Sequence, residues 1–428
     1  MDDRNGGDTD PNEAVATAVD QARLREDLER NGGFGAVPGE GRGRTVLTGT
    51  DANREAREYF RGRLEDAGLT VEVDSVGNVV GRWAPPGATG APVAAGSHLD
   101  SVPEGGIFDG PLGVYAALEA VRAMRDAGVD PARPVEVVSF TEEEGARFAP
   151  GGLLGSSVAT GDRSVEDALA LADGDGVTLE AALEGIGFRG EGRLDAAEWD
   201  AWLELHVEQH TVLESRGVPA GVVTDVTGIT HCEATVEGEA NHAGSTPMDG
   251  RRDALCAAAE FVTDVERAAN ERTEVDPAAV GTVGSLDVSP NATNVVPGRV
   301  EMGVDVRSVE RESMDHLVGA ARDSLDRLAE RRDVETGLTR GFDLHPTPMA
   351  ERCRGALQEG ADAAGLEAID LHSGAAHDSM HVANVTDAGM LFAPSRDGIS
   401  HNPREWTDWA DCANATRVLA GGLTRLAE

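Results

Sequence analysis

The chain has 428 residues and a formal net charge of −40, from 77 acidic and 37 basic residues, and every basic residue is arginine. So much negative charge repels nucleic acid phosphates and anionic lipid heads, which excludes nucleic acid and membrane surfaces as partners. Because concentrated salt screens such self-repulsion, the composition is typical of halophilic proteins and predicts one here.

The length exceeds the size at which one hydrophobic core usually stops growing, and it predicts two domains. The four cysteines show no CxxC spacing, which argues against a thiolate zinc site and against a disulfide framework. The sequence shows neither a secretory leader nor an apolar run of about 18 residues. These features together predict a cytoplasmic protein.

The predicted elements begin after an acidic start, residues 1–20, for which the composition predicts disorder. Apolar residues at helical spacing predict helices over 51–68 and 111–128. Buried-strand patterns follow at 92–97 and 134–140. Strands that alternate with helices indicate an α/β fold with a central mixed, largely parallel sheet flanked by helices.

From about residue 221 the pattern changes to strand, helix, two strands, helix and strand. This order predicts a smaller α+β sandwich inserted into the first domain. Buried-strand character then resumes in "LEAIDLHS" and "AGMLFAPS". The predicted domains are a catalytic domain of residues 21–211 and 343–428, and an inserted domain of residues 212–342.

Polar residues follow four of the predicted strands of the first domain. In open α/β sheets the carboxyl ends of the strands form the ligand crevice, so residues far apart in sequence can converge there. We expect the following set to do so: His98, Asp109, Glu143, Glu144, His206 and His401.

This mixture of imidazoles and carboxylates suits two divalent ions of the Zn, Mn, Co or Ni type. Two such ions, bridged by a carboxylate and a water, generate hydroxide near neutral pH. Glu143 is the predicted proton carrier and Glu144 a ligand. Taken singly, His98 is equally well a loop histidine, residues 142–144 a solvated acidic patch and Asp109 a turn residue. Their joint placement at strand ends favours a metal centre.

Eight motifs occur in order from about residue 40 to the end, and together they resemble the amidase, hydantoinase/carbamoylase branch of the M20-type metallohydrolases. That branch includes N-carbamoyl-L-amino acid hydrolases, allantoate amidohydrolases and β-ureidopropionases. The motifs are "GSHLDSVPEGGIFDGPLGV", "FTEEEGARF", "LELHVEQ", "NHAGSTPM", "PNATNVVPG", "VDVRS", "SGAAHDSMH" and "GISHNPRE".

The resemblance implies one metal ion held by His98, Asp109 and His206. It implies a second ion held by the bridging Asp109 with Glu144 and His401. It further implies that Asp100 orients His98 and that Glu143 is the general acid and base.

The resemblance also implies a homodimer in which the smaller domain is lid and dimer interface, and in which His242 of one subunit reaches the active site of the other to stabilise the oxyanion. Plainer alternatives exist, since Arg307 can simply pair with Asp305 and His377 can be a structural imidazole. The implied substrate contacts are Gln209, His242, Asn294, Arg307 and His377.

The predicted reaction is hydrolysis of a linear amide C–N bond, that of an N-carbamoyl-L-amino acid, to the L-amino acid, ammonia and carbon dioxide. Allantoate is the nearest alternative substrate, N-acyl amino acids and dipeptides are more distant ones, and a non-catalytic binding protein is the alternative of another class. One departure stands out, because His210 replaces the glycine of the family's HxEQG motif. We expect its side chain to point away from the site.

Overall fold

The computed structural model describes residues 10–428. Its helices, labelled α1 to α13 in chain order, are Pro11–Ala18, Gln21–Asn31, Asp51–Asp66, Pro111–Asp126, Leu154–Thr160, Val165–Leu169, Leu179–Ile186, Val212–Arg216, Ala254–Arg272, Arg311–Arg332, Glu351–Ala364, Ser379–Val382 and Trp409–Leu426. Its strands, labelled β1 to β15, are Thr70–Val73, Val79–Trp83, Val93–His98, Val135–Phe140, Ala201–Val207, Ala220–Val226, Gly228–Glu237, Asn241–His242, Val280–Ser289, Val295–Val296, Arg299–Ser308, Glu335–Leu344, Thr347–Pro348, Ala368–Ser373 and Asp387–Ala393. No helix in this part of the chain is long and apolar enough to span a membrane.

The larger sheet has the strand order β1-β2-β4-β3-β5-β15-β6-β13, and β14 pairs with β6. Its centre, β4-β3-β5-β15, is parallel. The pairs β1-β2, β2-β4, β15-β6 and β6-β13 are antiparallel. Every residue of β3, β4 and β5 is buried, which is typical of parallel strands covered on both faces. The prediction of a mixed, largely parallel sheet flanked by helices is confirmed.

The predicted disorder of residues 1–20 differs from the structure where the two can be compared. Residues 1–9 lie outside the described residues. Residues 11–18 form α1, in which Asp10 accepts the N–H of Asn12 at 2.9 Å and Val15 is fully buried in the main core. The prediction of disorder followed the acidic composition. It overlooked two local signals of a helix start, the N-cap Asp10 and the proline at the first helical position.

The chain divides into two compact units. Of the described residues, the first contains 10–224, Met349–Leu371 and His377–Glu428, and the second contains Asp225–Pro348 and His372–Ala376. The second unit therefore begins and ends later than the predicted 212 and 342. The reason is that β6, although it follows the predicted boundary, pairs with β15 in the larger sheet.

The second unit is an antiparallel sheet of order β12-β7-β11-β9 with helices α9 and α10. Alternate residues of β11 are buried in a core shared with both helices, because successive side chains of a strand point to opposite faces. Each strand and helix predicted after residue 221 is present, so the predicted α+β sandwich is confirmed.

Candidate metal centre and active site

Two histidines lie at the carboxyl end of the parallel sheet. His98 ends β3, His206 lies in β5, and both are buried. The Nδ1 atom of His98 lies 3.3 Å from the carbonyl oxygen of Asp100, and that of His206 lies 3.2 Å from the carbonyl oxygen of Val207. Donation from Nδ1 to a carbonyl leaves the Nε2 lone pair free to bind a metal ion.

Asp109 lies between the histidines. Its Oδ1 atom is 3.6 Å from Nε2 of His98 and 3.3 Å from Nε2 of His206. Its Oδ2 atom is 3.6 Å from Nε2 of His401. Gly110, which follows with a φ of 80°, has no room for a side chain, because a Cβ atom would lie 2.5 Å from the His98 ring. Three imidazoles therefore face one carboxylate.

Glu143 and Glu144 lie on the loop after β4. The Asp100 carboxylate accepts the N–H of Glu143 at 3.3 Å and the N–H of Glu144 at 3.2 Å. The same carboxylate is 3.7 Å from Nδ1 of His98, farther than the Asp100 carbonyl oxygen. Asp100 therefore contacts His98 chiefly through its backbone, and its side chain fixes the glutamate loop.

Glu144 also faces His401, the most exposed member of the cluster. The Oε2 atom of Glu144 is 3.2 Å from Nε2 of His401, whose side chain is 51% exposed. His401 has a φ of 52°, in the left-handed region that a histidine seldom adopts. Residues in this region cluster at active sites and ligand-binding segments, where the surrounding structure holds them.

The donor atoms fit a divalent metal ion. Nε2 of His98 is buried and has no hydrogen-bond partner among residues 10–428. The spacings of 3.2 to 3.6 Å between nitrogen and oxygen atoms match the edge of about 3.4 Å expected for four ligands about 2.1 Å from an ion. Three groups have donor atoms within 4.8 Å of one another: His98, Asp109 and His206; Asp109, Glu144 and His401; and His98, Glu143 and Glu144.

The protonation of the site depends on burial and on the density of charge. Burial, reinforced by the negative charges of Glu144 and Asp378, raises the pKa of Glu143 well above its usual range. Burial lowers the pKa of His98 to about 4. For His206 the charge and hydrogen bond of Asp109 outweigh burial and raise the pKa to about 9. The hydrogen bond to Glu144 raises the pKa of His401 to about 9.

His206 and His401 are candidate ligands whose pKa is raised to about 9, and a protonated imidazole cannot bind an ion. Ion uptake by the metal-free protein is therefore expected to weaken as the pH falls below about 9. Each displaced proton changes the apparent affinity by about tenfold per pH unit. Calorimetric titration with Co²⁺, in two buffers of different ionisation enthalpy, measures the protons released. His401→Ala is expected to release fewer protons, and uptake without proton release contradicts the assignment.

Two of the predicted substrate contacts lie beside this cluster. Gln209 has a φ of 57°, and its Nε2 atom donates to Oδ2 of Asp109 at 2.9 Å. The buried ring of His377 lies 4.6 Å from the ring of His206. Burial and the nearby His206 charge lower the pKa of His377 well below its usual range, so it is a neutral imidazole.

The other three predicted contacts lie in the second unit. His242 is exposed, and its Nδ1 atom accepts the N–H groups of Gly244 at 3.0 Å and Ser245 at 3.1 Å, which places the ring proton on Nε2. Asn294 is also exposed, and its backbone carbonyl oxygen accepts the N–H of Ala243, the residue after His242.

Arg307 is half-buried near the end of β11. Its Nε atom donates to Asp305 at 3.0 Å, and its Nη1 atom donates to the Gly374 carbonyl oxygen at 3.1 Å. The pair with Asp305 foreseen as the plainer alternative is therefore present.

His210, the departure from the family motif, is exposed. The positive φ at this turn falls on Gln209, and position 210 is not among the residues with positive φ. A histidine therefore replaces the glycine here without backbone strain.

Several residues around the centre escaped the sequence analysis. The Arg44 guanidinium is buried and donates to the carbonyl oxygens of Gly106 at 3.0 Å, Leu99 at 3.0 Å and Asp100 at 3.1 Å. It thereby holds the loop that follows His98. The others are Ser400, Glu405 and Glu204, and their signal was their position inside the quoted motifs "GISHNPRE" and "LELHVEQ".

Residues 94–425 match the family model described as Peptidase family M20/M25/M40. The chain belongs to the M20/M25/M40 peptidase family. A Paenarthrobacter aurescens protein named N-carbamoyl-L-amino-acid amidohydrolase is 39% identical over 404 residues, which cover 93% of this chain and 96% of that protein. A crystal structure of an amidase of the hydantoinase/carbamoylase family from Burkholderia multivorans has a TM-score of 0.90 at 38% identity and covers 96% of this chain and 98% of that chain. The resemblance to this branch of the M20 family is confirmed, and the chain is a hydrolase.

Two further relatives of the chain have names that refer to other substrates. The allantoate amidohydrolase of Bacillus subtilis is 33% identical and covers 90% of this chain and 93% of that protein. The ureidoglycolate hydrolase of Arabidopsis thaliana is 32% identical and covers 97% of this chain and 88% of that protein. Similarity to these relatives therefore indicates a linear amide substrate but does not distinguish between a carbamoyl amino acid, allantoate and ureidoglycolate.

Proposed function

We propose that this M20 family member hydrolyses the linear amide bond of N-carbamoyl-L-amino acids. The observation that carries the proposal is the pair of donor groups that share Asp109, with Glu143 beside them. The Paenarthrobacter aurescens protein named for this activity is 39% identical to the chain, against 33% for the allantoate amidohydrolase, which favours a carbamoyl amino acid over allantoate.

We propose that two divalent ions occupy the centre, one held by His98, Asp109 and His206, the other by Asp109, Glu144 and His401. Ions bound there lower the pKa of a water molecule and polarise a carbonyl group. Glu143, whose Oε2 atom lies 3.4 Å from Nε2 of His98, takes a proton from the attacking water. It then gives the proton to the departing amino nitrogen.

The remaining assignments concern the substrate. The guanidinium of Arg307 and the amide of Asn294 bind the substrate carboxylate. His242 of the partner subunit donates from Nε2 to the oxyanion, in the tautomer that its contacts with Gly244 and Ser245 favour. Gln209 and His377 contact the ureido group of the substrate. This arrangement needs a homodimer, which is part of the proposal.

Ammonia release tests the substrate directly. The purified protein, loaded with Mn²⁺, Co²⁺ or Zn²⁺ in concentrated salt, is given N-carbamoyl-L-amino acids, allantoate, ureidoglycolate and N-carbamoyl-D-amino acids in parallel. Release from the L-carbamoyl series above all others is the expected result. Release from allantoate or ureidoglycolate alone moves the enzyme to ureide breakdown. Release from none, with ions bound, supports a binding protein instead.

We further propose that the protein is halophilic, and the prediction concerns its stability. Raising the NaCl concentration from about 0.1 M to 1 M shortens the Debye length from about 10 Å to about 3 Å. Repulsion among charges that sum to −40 then falls, so the thermal unfolding midpoint is expected to rise. KCl at the same ionic strength is expected to give the same rise, since screening depends on ionic strength. A midpoint that does not rise in either salt contradicts the proposal.

A further inference from the structure

Two buried carboxylates near the proposed metal centre are neither proposed ligands nor the proposed base. Glu204 is 0% exposed and Glu405 is 1% exposed. Neither belongs to a group whose donor atoms converge on an ion position. Burying a carboxylate costs free energy unless hydrogen bonds compensate, so the partners of each one indicate its purpose.

Glu204 joins three segments of the first unit. It lies in β5, two residues before His206 and therefore on the same face of the strand. Its Oε1 atom accepts the hydroxyl of Ser97 at 2.8 Å, and its Oε2 atom accepts the N–H of Ser379 at 3.1 Å and the hydroxyl of Ser379 at 2.7 Å. Ser97 directly precedes His98, so this carboxylate ties the His98 and His206 strands together.

Glu405 joins two other segments in the same way. Its Oε1 atom accepts the N–H of Phe108 at 2.8 Å and the N–H of Asp109 at 3.1 Å. Its Oε2 atom accepts the hydroxyl of Ser400 at 3.2 Å. Ser400 directly precedes His401, and its one hydroxyl proton is shared between the Glu405 and Asp109 carboxylates. This carboxylate ties the Asp109 turn to the His401 loop.

We propose that Glu204 and Glu405 are positioning residues that hold the metal ligands in place through hydrogen bonds to the neighbouring residues. Asp100 acts likewise on the glutamate loop, so three buried carboxylates together fasten the segments of all the proposed ligands. The inference rests on the proposed metal-dependent function. Because Glu204 contacts the strands of His98 and His206, its loss disturbs one ion, whereas loss of Glu405 disturbs Asp109 and thus both ions.

The test is Co²⁺ binding, followed by calorimetry and by the visible absorption that reports the coordination of this ion. Glu204→Ala and Glu405→Ala are each expected to lower Co²⁺ affinity about 10- to 100-fold. The absorption spectrum is expected to change for one bound Co²⁺ ion in Glu204→Ala and for both ions in Glu405→Ala. Glutamine at either position keeps the shape, and its amide oxygen accepts the backbone N–H groups while its NH2 group donates to the hydroxyl oxygen of Ser97 or Ser400. Glu204→Gln and Glu405→Gln are therefore expected to restore most of the affinity.

The matched control is Glu119→Ala. Glu119 is also 0% exposed, and it accepts the N–H of Asp20 at 2.8 Å and the Arg23 guanidinium at 2.7 Å, away from the ligand segments. Its loss is expected to lower the unfolding midpoint without changing Co²⁺ affinity. If an alanine variant does not fold, Glu204→Asp or Glu405→Asp, which keeps the charge but shortens its reach, is expected to show the same loss.

Folded alanine or aspartate variants with the affinity and spectrum of the wild type overturn the inference. Glutamine variants as weak as the alanine variants also overturn it, since charge rather than hydrogen bonding would then be decisive. A wild-type protein that binds Co²⁺ but hydrolyses no ureido substrate refutes the proposed function, while the binding data still decide the roles of Glu204 and Glu405.

Discussion

Replacing Glu143 by glutamine is expected to lower kcat about 10³-fold, within the range usual for a general acid or base, while Co²⁺ remains bound. The amide has the shape of the carboxylate but cannot take the proton of the water. Initial rates of ammonia release and Co²⁺ titration measure the two quantities.

Glu142→Gln is the matched control, because Glu142 is the preceding residue of the same loop. Its Oε1 atom accepts the N–H groups of Arg147 at 2.7 Å and Phe148 at 2.6 Å, which a glutamine oxygen also accepts. We expect this variant to retain its activity. Glu143 belongs to one group of potential metal ligands, so a Glu143→Gln variant that loses both Co²⁺ and activity identifies Glu143 as a ligand instead.

The sequence was sufficient to predict which elements build the site. Strand and helix patterns are local, and the ends of parallel strands meet at one edge of a sheet. His98, Glu143 and His206 could therefore be brought together before any coordinates existed. Asp109 and His401 lie on loops, where the periodicity of the sequence does not predict the direction of a side chain. Their place in the set rested on the polar segments that follow predicted strands, and their assignment to particular ions came from the family resemblance.

The residues around the ligands were harder to predict. Glu204 bonds with Ser379, and Glu405 bonds with Asp109, across long separations in the chain. A buried carboxylate and a surface carboxylate look alike in a sequence with 77 acidic residues. For Glu204 one signal existed, since it alternates with His206 in a strand whose other residues are mostly apolar.

Replacing Asp109 by alanine is expected to have the largest effect of any single change, because three imidazoles face its two oxygens. Both proposed ions lose a shared ligand, whereas His401→Ala removes a ligand from one ion only. The bound ions contribute several kcal/mol of charge stabilisation, and each 1.36 kcal/mol is tenfold in rate, so kcat/KM is expected to fall about 10⁴-fold or more.

Metal analysis after dialysis distinguishes the two variants of the shared centre. Two ions per chain are expected in the wild type, one in His401→Ala and none in Asp109→Ala. Asp109→Asn isolates the role of charge, since the amide keeps the shape and the backbone N–H bonded to Glu405 but offers one neutral oxygen in place of two charged ones. If Asp109→Ala retains one ion at wild-type affinity, Asp109 serves a single ion, and the two ions are held independently rather than through a common carboxylate.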